Sequence, residues 1–425
     1  MLKKAADVVS RSQEFFDPWL ACDHPATLGL VDHALECAEA GRLKRRGREK
    51  DRQTLRGLAI AVVSNAAHAL ALGLEPPGVA IILAKPRGPA SRYDGLSLRL
   101  VEGVRKAIEP SFITISPSRT NSVASVLLPG DALRECVGGL NDFGLASFKR
   151  TGGETIIVRR VERDYAADVR EAINVEYRDT ADTLRMRAEL DWINAAIESA
   201  RLEFIGPQAP DVYQRRLRRI FTTNSETPRF DLNGRLHGGW WENVRRDRRN
   251  IIRIEGETVA DLDFSAMFLR LAYTRIGLKP PSGELYAGIL GGAGEGLYRD
   301  GVKQIVNAML ARSSPLTRLP KGCKALLPKG CTARSIREAA LERHSAIREQ
   351  FERGAALRLM RTDSDILVAV LLRVIDRHGV VAPPMHDGLM VRESCAATAE
   401  AVMREVGAEV TGFELDVKRK PLKTA

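Results

Sequence analysis

The stretch from Val259 to Arg270 constrains the chain more than any other, because it reads as a strand that ends in carboxylates and turns at once into an apolar helix. In Val259-Ala260-Asp261-Leu262-Asp263 the side chains alternate, so Asp261 and Asp263 share a face with Val259 while Ala260, Leu262 and Phe264 take the other. Far downstream, Met385-His386-Asp387-Gly388-Leu389 joins two apolar runs in the manner of a tight hairpin. Hard oxygen ligands brought together from two such distant strands can hold a pair of Mg2+ ions, with Mn2+ as the substitute.

Between the two carboxylates, Arg299 and Lys303 stand four residues apart. On a helix they form one polar stripe with Asn307, and Val302, Ile305, Val306, Met309 and Leu310 face a core. Two cations one turn apart suit a polyphosphate. The formal charge of +11 points the same way, toward a polyanionic partner. Basic clusters occur at 42–48, at Arg215, Arg216, Arg218 and Arg219, and at 245–249. The last two flank Asn233-Gly234-Arg235-Leu236, which favours phosphate contacts over a merely solvated face.

The order carboxylate, cationic helix, carboxylate resembles the palm and fingers of family A DNA polymerases. Asp263-Phe264-Ser265 with Arg270 resembles their motif A, Asp-Tyr-Ser followed by an Arg at the same offset. Arg299 and Lys303 resemble the Arg-x-x-x-Lys that opens motif B, His386-Asp387 resembles the His-Asp-Glu of motif C, and Gly234-Arg235-Leu236 resembles the Gly-Arg-Leu element before motif A. The resemblance covers about the second half of the chain. It implies an α+β right hand and template-directed, two-metal DNA synthesis on primed DNA with dNTPs. Asp263 and Asp387 would be the metal ligands, and Lys303 would complete the catalytic set. Arg299, Lys303, Asn307 and Phe268 would contact the nucleotide; Arg235 and His386 would contact the primer duplex. Phe268 lies five positions after Asp263, where the family's DNA polymerases place the Glu that excludes a ribose 2'-hydroxyl and single-subunit RNA polymerases place Gly.

The departures are specific. Gly388 stands where the third carboxylate of His-Asp-Glu belongs, and single-subunit RNA polymerases also lack it. The aromatic of motif B is missing, and Lys303-x-x-x-Asn307 is closer to the Lys-x-x-x-Asn of family B. Pro383 and Pro384 are awkward in a central strand, because proline cannot donate to the ladder. Taken singly, each element has an ordinary reading: a solvated turn at Asp261-x-Asp263, an exposed helix face at Arg299, a plain hairpin at Asp387-Gly388. Two rivals therefore stand beside the polymerase: a noncatalytic nucleic-acid-binding protein on a degenerate palm, and a single-subunit RNA polymerase or primase. A compact, mobile-element form without proofreading is expected, since the N-terminal half shows no carboxylate set for an exonuclease.

The expected layout is a mainly helical, winged-helix-like nucleic-acid-binding region over 1–162, thumb-like helices over 163–206, palm over 207–290 and 354–425, and fingers over 291–353. The wing would be a hairpin over 146–161 turning at Gly152-Gly153, with Lys149, Arg150, Arg159 and Arg160. A helix is expected over 53–63, another over 96–108, and one over 364–377 leading to motif C. Two copies of Leu-Pro-Lys-Gly-Cys, ending at Cys323 and Cys331, suggest a pair of similar turns near a fingers tip. The six cysteines read as reduced thiols; in the set Cys22, His24, His33, Cys37 the first pair is closer than the usual zinc spacing, which favours unligated side chains on helices. With no apolar run of about 18 residues and no signal-like start, the expectation is a cytoplasmic monomer that avoids membranes.

Overall fold

The structure is a computed structural model that describes residues 14–40, 49–81, 91–93, 112–116, 125–164, 169–292 and 295–422. The chain is α+β and divides into two compact units, one of Met1–Glu154 with Pro210–Gln214, the other of Thr155–Ala209 with Arg215–Ala425. The basic cluster at 42–48 and the helix expected over 96–108 lie outside the described residues.

In the first unit the elements are β1 (Glu14–Phe15), β2 (Leu20–Cys22), α1 (Pro25–Ala40), α2 (Glu49–Ala71), β3 (Val79–Ile81), β4 (Ile113–Ser116), β5 (Ser125–Pro129), α3 (Asp131–Gly138) and β6 (Phe148–Arg150). Strands β1-β3-β5-β4 form one sheet and β2-β6 a second. Leu58, Val62, Ile113, Leu127, Leu133 and Phe148 fill the core between sheet and helices. Within α2, Gln53–Ala71 is long and apolar enough to cross a membrane, but 61% of it is buried inside the fold, which is the signature of a core helix.

The wing reading does not survive. Strand β6 pairs with β2, whereas the strand after Gly152-Gly153 belongs to a sheet of the other unit. The two glycines make room for a ring: a Cβ on Gly152 would stand 2.2 Å from Cε3 of Trp19, and one on Gly153 2.9 Å from its Nε1. Lys149 and Arg150 are committed to Asp23 and to Asp17 and Asp211 respectively.

Asp211 is a buried anchor of this unit. Its Oδ2 meets His68 Nε2 at 3.1 Å and Arg150 Nη1 at 3.2 Å, and its Oδ1 accepts from the Tyr213 N–H. Burial alone would raise its pKa, but His68, Arg150 and the Tyr213 amide outweigh it and hold the carboxyl below the usual range. A depressed folded pKa gives stability that is present above the unfolded value of ~3.9 and is lost as pH falls through the folded one. Asp211→Asn is therefore expected to lower the denaturant midpoint at pH 7, with the gap to wild type closing below about pH 4. Parallel midpoint shifts at every pH would show that Asp211 contributes no charge-linked stability.

The second unit contains β7 (Ile156–Asp164), β8 (Val169–Asn174), α4 (Ala181–Ser199), β9 (Leu202–Phe204), β10 (Arg218–Thr222), β11 (Asn233–His237), β12 (Ile252–Ile254), β13 (Glu257–Phe264), α5 (Met267–Thr274), α6 (Arg299–Ala311), α7 (Ala333–Arg343), α8 (Ala356–His378), β14 (Pro384–Met385), β15 (Gly388–Arg392), α9 (Ala396–Thr411) and β16 (Val417–Lys420). One sheet runs β11-β10-β7-β8, and the other β14-β15-β13-β12-β9 with β16 also on β13.

The helices expected over 163–206 reduce to one, α4, because 169–174 pairs with β7 as a strand and 202–204 joins β12. Pairing partners decide such segments more than local pattern does. The β12–β13 hairpin turns at Glu255 (φ 51°) and Gly256 (φ 80°), the two positive dihedrals that a type I′ turn needs. The two Pro-Lys-Gly-Cys copies are indeed similar turns: Cys323 N–H donates to Pro320 and Cys331 N–H to Pro328, with Gly322 and Gly330 at φ 81° and 87°. The first is not at a tip, since Cys323 is fully buried and its Sγ reaches the Gly301 carbonyl of α6.

Candidate functional site

Strand β13 is buried on both faces from Val259 to Phe264, so a carboxylate on it needs a reason. Its register supplies the neighbours. On one side Asp263 lies opposite Gly388 of β15; on the other, Asp263 lies opposite Lys418 and Asp261 opposite Lys420 of β16. Ala266 at φ 48° caps α5 in the left-handed region, which turns the chain sharply out of the strand. Arg270, buried in α5, donates to the carbonyls of Ser265, Pro281 and Gly283 and pairs with Asp416, so it clamps that turn to the segment leading into β16.

The hairpin β14–β15 carries Asp387 alongside. Its prolines are tolerated because β14 is the sheet's edge strand. Trp241 Nε1 donates to the Pro384 carbonyl at 2.8 Å and ties the hairpin down. His386 sits at φ 60° in the turn and is exposed.

These elements enclose a cleft of about 180 Å3 lined by Asp263, Asp387, Lys303, Asn307, Phe268 and Lys418, together with Arg235, Tyr286 and His386. The polar stripe of α6 thus faces the carboxylates, while Val302, Ile305, Val306, Met309 and Leu310 are buried behind it. Phe268 is half-buried at the cleft rather than packed away in the core, with the Arg235 guanidinium 5.3 Å from its ring. Arg299 is held at the rim by Glu284, at 2.6 Å, and by the ring of Tyr286.

The carboxylates of the cleft are only partly compensated by the cations around them. Asp263 Oδ2 takes Lys420 Nζ at 2.7 Å, whereas its Oδ1 is buried with no hydrogen-bond partner. Burial raises the Asp263 pKa and Asp387 raises it further, against the pull of Lys420. Asp261 is raised as well, chiefly by burial, although Lys420 and Arg249 oppose it. An orphaned carboxylate oxygen beside a second carboxylate is a fit for a divalent cation. Among the described residues no group of three or more His, Cys, Asp or Glu side chains could hold a metal, so protein ligation would rest on Asp263 and Asp387.

Asp363, absent from the motif reading, is fully buried on α8 and takes Arg235 on one oxygen, at 3.1 Å from Nε and 2.7 Å from Nη2. Burial pushes its carboxyl up to about 8 against that guanidinium, with Asp387 and Asp263 adding to the rise. Its signal was present: Leu359, Asp363, Ile366 and Val370 follow the helical period, which leaves a carboxylate inside an apolar stripe. Lys418 and Lys420 had one too, since period-two alternation in the last strand puts both on one face.

The arginine cluster before Gly234 is largely spoken for. Arg215 is buried, and its Nη1 donates to the Ala200 carbonyl at 2.7 Å while Nη2 reaches Leu202, closing the end of α4. Arg219 is buried on the Gly234 carbonyl and Asp365. As nucleic-acid contacts these two are corrected: the Arg215 fork is taken by backbone carbonyls at the end of α4, and that of Arg219 by the Gly234 carbonyl and the Asp365 carboxylate. Arg216, 3.7 Å from Asp191, and Arg218 are half-buried.

Comparison with models of known protein families finds no match, and neither does comparison with curated proteins.

Proposed function

We propose that the second unit is a nucleotidyltransferase that carries out metal-dependent phosphoryl transfer in the Asp263–Asp387 cleft. Within that class, the reading the residues support best is a template-directed DNA polymerase with a palm formed by β12 to β16. The observation that carries it is the convergence, in one small cleft, of a carboxylate at the end of β13 and one in the β14–β15 turn with Lys303 and Asn307 of α6. A solvated turn would have no need to bury Asp263 beside Lys303.

Asp263 and Asp387 would hold the divalent ions, whose chemistry there is to lower the pKa of a primer 3'-hydroxyl and to neutralise the leaving pyrophosphate. Arg299 and Lys303 bind the phosphate chain, and Lys303 can also deliver a proton to the leaving group. His386, exposed at the turn, meets the primer end. Arg235, held by Asp363, supports the duplex side of the cleft and braces Phe268.

Phe268 sets sugar selectivity in this reading. A ring at the ribose position leaves a 2'-hydroxyl without a partner, which costs about 1–3 kcal/mol before any steric clash. Phe268→Ala is expected to raise rNTP over dNTP incorporation by at least about tenfold. Single-nucleotide incorporation kinetics with matched dNTP and rNTP measure the ratio, and an unchanged ratio removes Phe268 from the sugar pocket.

One observation favours the noncatalytic rival: Lys420 already neutralises one oxygen of Asp263. Primer extension by the purified full chain with Mg2+ or Mn2+ separates the two. Template-dependent addition supports the polymerase, and DNA binding without addition supports the rival.

A further inference from the structure

Two ammonium groups in the cleft make no direct polar contact, although the charge of one of them, Lys418, lowers the Asp263 pKa. Among the described residues neither Lys303 nor Lys418 makes a hydrogen bond or ion pair, although both line the same small cavity. Their cationic neighbours are already engaged, Arg299 by Glu284 and Lys420 by Asp263. Lys418 is half-buried, and the charges that bear on it include Arg299 and Lys303 as well as Asp263 and Glu284. Asp263 and Glu284 offset the repulsion from Arg299 and Lys303 in part, and an added anion bound between the two lysines would relieve the rest.

We propose that Lys418 is a phosphate-chain ligand, closing with Lys303 a two-lysine seat for adjacent phosphoryl groups of a nucleoside triphosphate or of pyrophosphate. Its place is fixed by the β16 register, which sets Lys418 directly opposite Asp263. The seat is therefore built from the chain's last strand as well as from α6. A compact polyphosphate suits it better than a nucleic-acid backbone, because the cleft is small and the two cations share one cavity. The choice of ligand rests on the nucleotidyltransferase reading.

The test is a calorimetric titration of the full-length protein with inorganic tripolyphosphate and Mg2+, with melting curves to confirm folding. Lys418→Met and Lys303→Met are each expected to weaken binding by about tenfold, and Lys418→Arg to retain most of it. The adjacent Arg419→Met, whose side chain is exposed and pairs with Glu393, should change nothing. If Lys418→Met binds like Arg419→Met while Lys303→Met is weakened, Lys418 is not a ligand and the wider reading stands. If the wild-type protein extends primers yet binds no tripolyphosphate, the seat is wrong and the reading is again untouched. If it neither binds tripolyphosphate nor extends primers, both fall.

Discussion

If the proposed nucleotidyltransferase reading holds, replacing Asp263 or Asp387 by Ala is expected to reduce nucleotide addition by at least about a thousandfold, because each would remove one of the two carboxylates assigned to the metals. Folding should barely notice. Burial and Asp387 both disfavour the charged form of Asp263, so losing that carboxylate relieves a cost. The partner it leaves, Lys420, is 24% exposed and can turn its ammonium to water. Stability should stay within about 1 kcal/mol of wild type, and affinity for primed DNA within a few-fold. Primer extension and denaturant titration on the same preparations make the comparison. Wild-type extension by either variant would dismiss the site, and an unfolded variant would make Asp263 a structural residue.

Placing a carboxylate at position 388 should do harm. A Cβ on Gly388 would stand 2.2 Å from the Leu262 carbonyl oxygen and 3.1 Å from both Cα and Oδ1 of Asp263. Two of those three atoms belong to the backbone of the central strand, which cannot give way without breaking the β13–β15 ladder. Gly388→Ala is expected to cost about 3 kcal/mol, and Gly388→Glu more, since it also adds a third negative charge beside Asp263 and Asp387. Extension should fall with folding. A Gly388→Glu protein with a wild-type denaturant midpoint would show that the two strands do not approach as closely as described. The glycine is thus a packing requirement of this sheet, and its presence does not by itself argue that the cleft is inert.

Much of the second unit was legible because its signals are local. The alternation through Asp263 and the α6 stripe each follow from spacing over a few residues, and the structure places both accordingly. The twin Pro-Lys-Gly-Cys turns were legible for the same reason, since Gly alone accepts their positive φ at no cost. Less was legible elsewhere, although the helix expected over 53–63 lies within α2. Gly152-Gly153 looks like a hairpin turn in sequence, yet its glycines answer to Trp19, more than a hundred residues earlier. Helical periodicity over 169–174 yielded to pairing with β7.

By itself, then, the sequence determined which residues carry charge, which faces they share, and the order in which the carboxylates and the cationic helix occur. Tertiary structure alone decided that Asp263, Lys303, Asp387 and Lys418 meet in one cleft, that Asp363 holds Arg235, and that Arg215 and Arg219 are spent on the fold's own carbonyls. The reason is physical: backbone period fixes a side chain's direction within a few residues. What that side chain faces depends on strand register and burial set by segments far away in the chain.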